Sequence, residues 1–85
     1  MVSASEVRKE LKKFILNEIL RDTTYRIKPD EPLISGGLID SFSVVQIAVF
    51  VEEAFDVVIP DADLTVENMD TLDKMTQLIL ELRKK

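Results

Sequence analysis

The segment Gly36-Gly37-Leu38-Ile39-Asp40-Ser41-Phe42 puts one hydroxyl, that of Ser41, at the mouth of an apolar helical run. Asp is a favoured N-cap residue, so Ser41 falls on the first helical turn with its oxygen toward solvent. Unpaired backbone N–H groups and the positive end of the helix dipole gather there. That setting suits a phosphate ester on the Ser41 oxygen. An Asp-Ser pair by itself marks only a capped helix start, so its weight comes from its surroundings. The two glycines make the preceding loop flexible enough for a large partner to approach.

Other chemistry is scarce. The 85 residues contain no Cys and no His. Disulfides, thiolate or imidazole zinc sites, Cys–His nucleophiles and Ser–His–Asp triads are therefore excluded. Asp61-x-Asp63-x-Thr65-x-Glu67 has the rhythm of a calcium loop, but Val66 holds its glycine position and Leu72 its twelfth. An EF-hand is rejected on that ground, and no metal site is expected. A chain without these groups reads poorly as an enzyme.

The elements that must position Ser41 follow from periodicity. Ser3-Ala4-Ser5-Glu6 has the form of a capping box. Val7, Leu11, Phe14, Ile15 and Ile19 recur at helical spacing behind it, which predicts helix one from about residue 4 to about 20. Arg8, Lys9, Lys12 and Lys13 cover its other face. Residues 21–40 form a long connection, because Pro29, Pro32 and the two glycines forbid a continuous helix. Tyr25, Ile27, Leu33, Ile34 and Leu38 are expected to pin that loop to the core.

Helix two is expected from Ser41 to about Phe55, with Val44, Ile47, Ala48, Val51 and Phe55 on its core stripe. Phe42, Val45 and Val49 fall on another face beside Gln46, Glu52 and Glu53. A small bundle cannot bury both faces, so the second reads as an exposed apolar patch rimmed by acid, a docking site, with Phe42 and Val49 packed under the long loop as the alternative. Phe50 lies between the two. Val57-Val58-Ile59 reads as an extended connector, since a lone strand has nothing to pair with. Pro60-Asp61-Ala62-Asp63-Leu64 suits the start of a short helix three. Asp70 or Thr71 caps helix four, whose stripe is Leu72, Met75, Leu78 or Ile79, and Leu82. Arg83, Lys84 and Lys85 complement the negative end of its dipole.

In its motifs, Leu33 to Ile79 resembles the acyl carrier protein family, including aminoacyl and peptidyl carriers. The contacts are Gly37-Leu38-Ile39-Asp40-Ser41-Phe42, Val51-Glu52-Glu53-Ala54-Phe55, Val58-Ile59-Pro60 and Thr71-Leu72, in the family's order and approximate spacing. The resemblance implies an all-α, four-helix carrier bundle over residues 1–85, with a long loop between helices one and two and a short third helix. It also implies a 4′-phosphopantetheine arm from coenzyme A on Ser41, installed by a phosphopantetheinyl transferase that brings its own base and Mg²⁺. The arm's thiol would carry acyl or aminoacyl groups as thioesters between loading enzymes and downstream synthases. Asp40 would cap helix two and orient the incoming metal–phosphate group, while Phe42, Val45, Val49, Glu52 and Glu53 would meet partners. Fatty-acid carriers typically show Leu-Gly-x-Asp-Ser-Leu, whereas Gly-Leu-Ile-Asp-Ser-Phe here looks more like D-alanyl, other stand-alone aminoacyl or specialised polyketide-type carriers. An unmodified helical adaptor using only the helix-two patch is the alternative.

The net charge of −5 hides a sharper pattern. Residues 29–73 hold eleven acidic side chains and no Lys or Arg, while both flanks are basic. A basic partner surface would be steered toward Ser41, and nucleic acid is not an expected partner. No run approaches the roughly 18 apolar residues of a membrane span. A cytoplasmic monomer without membrane insertion is the expectation.

Overall fold

A computed structural model describes residues 3–84, and within them every regular element is helical. The first helix, α1 (Ala4–Phe14), starts where expected, with the Ser3 hydroxyl accepting from the Glu6 amide at 3.2 Å. It runs without a break into one π-helical turn, Ile15–Ile19, closed by the Leu20 amide on the Ile15 carbonyl at 2.8 Å. The extra residue in that turn rotates the apolar stripe, so Ile15 and Leu16 are both buried. Leu16 has no place in the expected stripe for that reason. Arg21, at φ 53°, then turns the chain away in the left-handed region.

The long connection is held by its own contacts. The Asp22 carboxylate takes the amide and hydroxyl of Thr24 at 3.1 and 2.6 Å, and the Tyr25 hydroxyl donates to Glu31. Ile27 and Leu33 are buried as anticipated, while Tyr25, Ile34 and Leu38 pack at the margin. Ile39 is also buried. The Asp73 amide donates to the Pro29 carbonyl at 3.0 Å and docks the loop on the fourth helix.

The second helix, α2 (Ser41–Phe55), buries Val44, Ile47 and Val51. Ala48 and Phe55 are only partly covered, a narrower stripe than the periodicity suggests. Phe50 stacks on Phe14 of α1 with ring centroids 4.4 Å apart, which settles its role as the join between the two helices. Asp56, at φ 57°, ends α2. Val57 and Ile59 then point inward while Val58 stays 66% exposed, so the connector is extended and unpaired.

The third helix differs from expectation. Asp61–Asp63 forms only a 3₁₀ turn, and Leu64 leaves helical geometry at ψ 66°. The Thr65 hydroxyl then caps a new start, so α3 is Val66–Met69. For α4 (Leu72–Arg83) the cap is Thr71, whose hydroxyl accepts from the Lys74 amide at 3.0 Å. Leu72, Met75 and Ile79 are fully buried, and Leu78 and Leu82 lie at the edge. Thr76 is buried too, its hydroxyl donating to the Leu72 carbonyl at 2.7 Å. Arg8 of α1 pairs with Asp73 of α4 at 2.9 Å. Lys85, assigned to the C-terminal dipole, lies outside the described residues.

Candidate functional site

The turn before α2 is built from backbone hydrogen bonds that the local sequence alone does not specify. The Leu33 carbonyl accepts from the amides of Leu38 and Ile39 at 2.9 and 3.0 Å. The Gly37 amide donates to the Ile34 carbonyl at 3.1 Å. Both glycines are demanded by shape, not only by pliancy. A Cβ on Gly36 would overlap the Pro32 carbonyl oxygen, and Gly37 sits at φ 83°. The result is a shaped turn that delivers Asp40 and Ser41 to the head of α2.

Asp40 is the N-cap, in extended geometry, with its carbonyl accepting from the Val44 amide at 3.2 Å. Its Oδ1 accepts from the Ser43 amide at 2.9 Å and the Ser43 hydroxyl at 3.1 Å. Those two bonds, the amide first, hold the Asp40 carboxyl below the usual carboxylate range, so it is charged at neutral pH. Ser41 follows on the first turn and is exposed. It borders an apolar cleft of about 200 Å³ lined also by Ile34, Val44, Val45, Leu64, Thr65 and Val66.

The other candidates share one helix. Phe42, Val45 and Val49 are exposed at 81%, 53% and 55%. A second shallow cleft, next to Ala48, Val58 and Leu64, runs along one flank of Val45 and Val49. A larger groove of about 560 Å³ between α1 and α2 runs along the other. The two valines therefore form a ridge between grooves. Glu52 and Glu53 are exposed, 11 and 12 residues past Ser41, or about 16–18 Å along the helix. Ser41 and the ridge thus form one surface, with the two glutamates at its far end.

Two features escape a linear reading. Residues 29–73 contain no cation, yet Arg21 from the end of helix one reaches the larger groove beside Val49 and Glu53. Asp70, weighed as a cap for α4, instead accepts from the Ile34 and Ser35 amides at 2.8 and 2.9 Å and from the Ser35 hydroxyl at 2.7 Å. The Ser35 hydroxyl, then the amides of Ser35 and Ile34, and the nearby Lys74 charge lower the Asp70 pKa. Its position directly before Thr71 was the available signal, and it is ambiguous because either residue type caps helices. Among the described residues, no cluster of three metal-ligating side chains forms, and no helix is long and apolar enough to cross a membrane.

Residues 13–83 match the family described as "Phosphopantetheine attachment site". The D-alanyl carrier protein of Streptococcus mutans is 28% identical over 78 residues, covering 92% of this chain and 96% of the relative. That of Bacillus subtilis is 26% identical over 69 residues, covering 81% and 88%. The D-alanyl carrier protein of Bacillus velezensis is 25% identical over the same length.

Proposed function

Because the chain belongs to the phosphopantetheine-attachment family, a family of carriers and not catalysts, we propose that Ser41 bears its covalent 4′-phosphopantetheine arm and that the cargo is an amino acid. The observation that carries the first part is the exposed Ser41 hydroxyl, on the first turn of a capped helix and beside an apolar cleft. The residues fit the group. A phosphodiester on Ser41 would meet the unpaired amides and positive end of α2, and the Asp40 side chain is already engaged with Ser43.

The chain's own part in loading is small. Ser41 would hold the arm as a phosphodiester: its oxygen would supply the nucleophile for the β-phosphate of coenzyme A, its proton going to a base on the transferase and the nucleotide 3′,5′-bisphosphate leaving. Asp40 fixes the helix end that carries Ser41, and its other carboxylate oxygen would orient the metal–phosphate group that the transferase brings. When bound, the arm supplies a thiol that holds the cargo as a thioester. Phe42 and the Val45–Val49 ridge seat successive partners, with Glu52 and Glu53 drawing in their basic residues. Those partners are a phosphopantetheinyl transferase, an aminoacyl-activating ligase and a downstream acceptor enzyme, working in the cytoplasm.

An aminoacyl cargo is supported by the three relatives, all D-alanyl carrier proteins, and by Phe42 where fatty-acid carriers typically have Leu.

Intact mass after incubation with coenzyme A, Mg²⁺ and a broad-specificity transferase tests the attachment. The parent gains one phosphopantetheine and Ser41→Ala gains none. A folded parent that stays unmodified with several transferases would point instead to an unmodified adaptor. The loaded protein, offered D-alanine with ATP and an adenylating ligase or malonyl-coenzyme A with a malonyl transferase, is expected to take only the amino acid. Loading by the malonyl route alone would refute the cargo assignment.

A further inference from the structure

We propose that Asp70 is the positioning residue for Ser41, holding the turn that presents the hydroxyl. The proposal rests on Ser41 being the attachment point. Asp70 is 8% exposed and lies between α3 and α4, 29 residues beyond the serine. Its Oδ1 accepts from the amides of Ile34 and Ser35, and its Oδ2 from the Ser35 hydroxyl. Its carbonyl accepts from the Leu33 amide at 2.7 Å. One residue thus secures three consecutive positions of the loop.

The hold extends to the site in two short steps. Leu33, fixed by Asp70, accepts from the amides of Leu38 and Ile39, and Asp40 and Ser41 follow directly. On the opposite side, the Asp70 amide donates to the Val66 carbonyl at 3.1 Å. Ile34 and Val66 both line the cleft that Ser41 borders. Asp70 therefore ties two lining residues of that cleft to one point while it holds the approach to Ser41. Without the carboxylate, two backbone amides lose their acceptor and the turn has no other side-chain anchor among the described residues.

A released turn visits the loading-competent shape only part of the time, and a binding constant rises by the inverse of that fraction. Once the transferase has bound the competent shape, turnover is unaffected. Asp70→Ala is thus expected to raise the transferase's KM for the carrier about tenfold, with kcat within about twofold of the parent. Asp70→Asn keeps an Oδ1 acceptor for both amides and restores most of the loss. Ser35→Ala, which removes one bond at an exposed residue, falls between.

The test measures KM and kcat for arm transfer at a temperature where circular dichroism shows every variant folded. Leu82→Ala, at the far end of α4, serves as a control of reduced stability. Amide hydrogen exchange on the unmodified proteins gives a reading independent of loading. Ile34, Ser35, Gly37, Leu38 and Ile39 should lose protection in Asp70→Ala while Val51 and Met75 keep theirs. An unchanged KM in Asp70→Ala, an equal rise in Leu82→Ala, or an Asn variant as impaired as Ala overturns the proposal. A parent that accepts no arm refutes the attachment reading instead, and the exchange pattern then decides whether Asp70 holds the turn.

Discussion

Asp40 and Ser43 are joined twice through a single oxygen: Oδ1 of Asp40 accepts from both the amide and the hydroxyl of Ser43, at 2.9 and 3.1 Å. Oδ2 takes neither of these bonds, so the Ser43 cap and the proposed metal–phosphate role use different atoms of one carboxylate. Asn caps a helix about as well as Asp but presents an amide nitrogen in place of Oδ2. Asp40→Asn should therefore melt within about 2 °C of the parent yet accept the arm about tenfold more slowly. Asp40→Ala should lose several degrees as well. Equal loading by Asn and Asp would leave Asp40 as a cap alone.

Val45 and Val49 are exposed between two grooves, so a charge there costs the fold little and costs a partner much. Val49→Asp is expected to keep the parent melting temperature within about 2 °C and to weaken partner binding by about tenfold or more. Calorimetric titration with the loading enzyme checks both this and Phe42→Ala. Binding should also weaken as salt rises, because Glu52 and Glu53 are exposed and screened. Parent-like affinity in Val49→Asp would remove the ridge from the interface.

The readable part of this chain is the part fixed by local chemistry. The Ser3 and Asp40 caps, the burial of Val44, Ile47 and Val51 in α2 and the exposed ridge all follow from spacing and side-chain type, and each stands where expected. The failures share a cause. Leu16 is buried by a π-turn, whose register no 3.6-residue pattern encodes. The third helix begins at Val66 because Leu64 and Thr65 break and recap the chain after a 3₁₀ turn, although Pro60 and the acids beyond it favour an earlier start. Asp70 holds residues 35 and 36 positions upstream, a relationship that only packing creates.

The two glycines before the site should respond unequally to alanine. At Gly37 a Cβ meets nothing within 4 Å, so only the left-handed backbone at φ 83° opposes it. That penalty is about 1–2 kcal/mol. At Gly36 the Cβ overlaps the Pro32 carbonyl oxygen, and backbone must move to admit it. Thermal melts should rank Gly36→Ala below Gly37→Ala, and arm transfer should follow the same order. The reverse ranking would mean that the turn relaxes easily around Pro32.

Acid should unfold the protein through a small set of carboxylates. Asp22, Asp40 and Asp70 are held below their ordinary value near 3.8 and Glu31 below 4.5, each by hydrogen bonds that favour the charged form. A depressed folded pKa stabilises the native state above the unfolded value and ceases to do so as pH falls through the folded one. Melting temperature should thus be level from about pH 5 to 8, where no side chain of this chain ordinarily titrates, and drop below about pH 4. Asp70→Asn should flatten that acid limb. The Tyr25–Glu31 bond adds an alkaline limb of opposite sign. It raises the Tyr25 pKa, so its contribution is complete below about pH 10 and is lost as pH climbs through the raised value. Tyr25→Phe removes the donor, and should weaken both limbs while leaving the Asp70 share of the acid limb in place. Melts from pH 3 to 11 on the three proteins separate the two networks, and an acid limb unchanged in Asp70→Asn would show that Asp70 holds its loop equally well without charge.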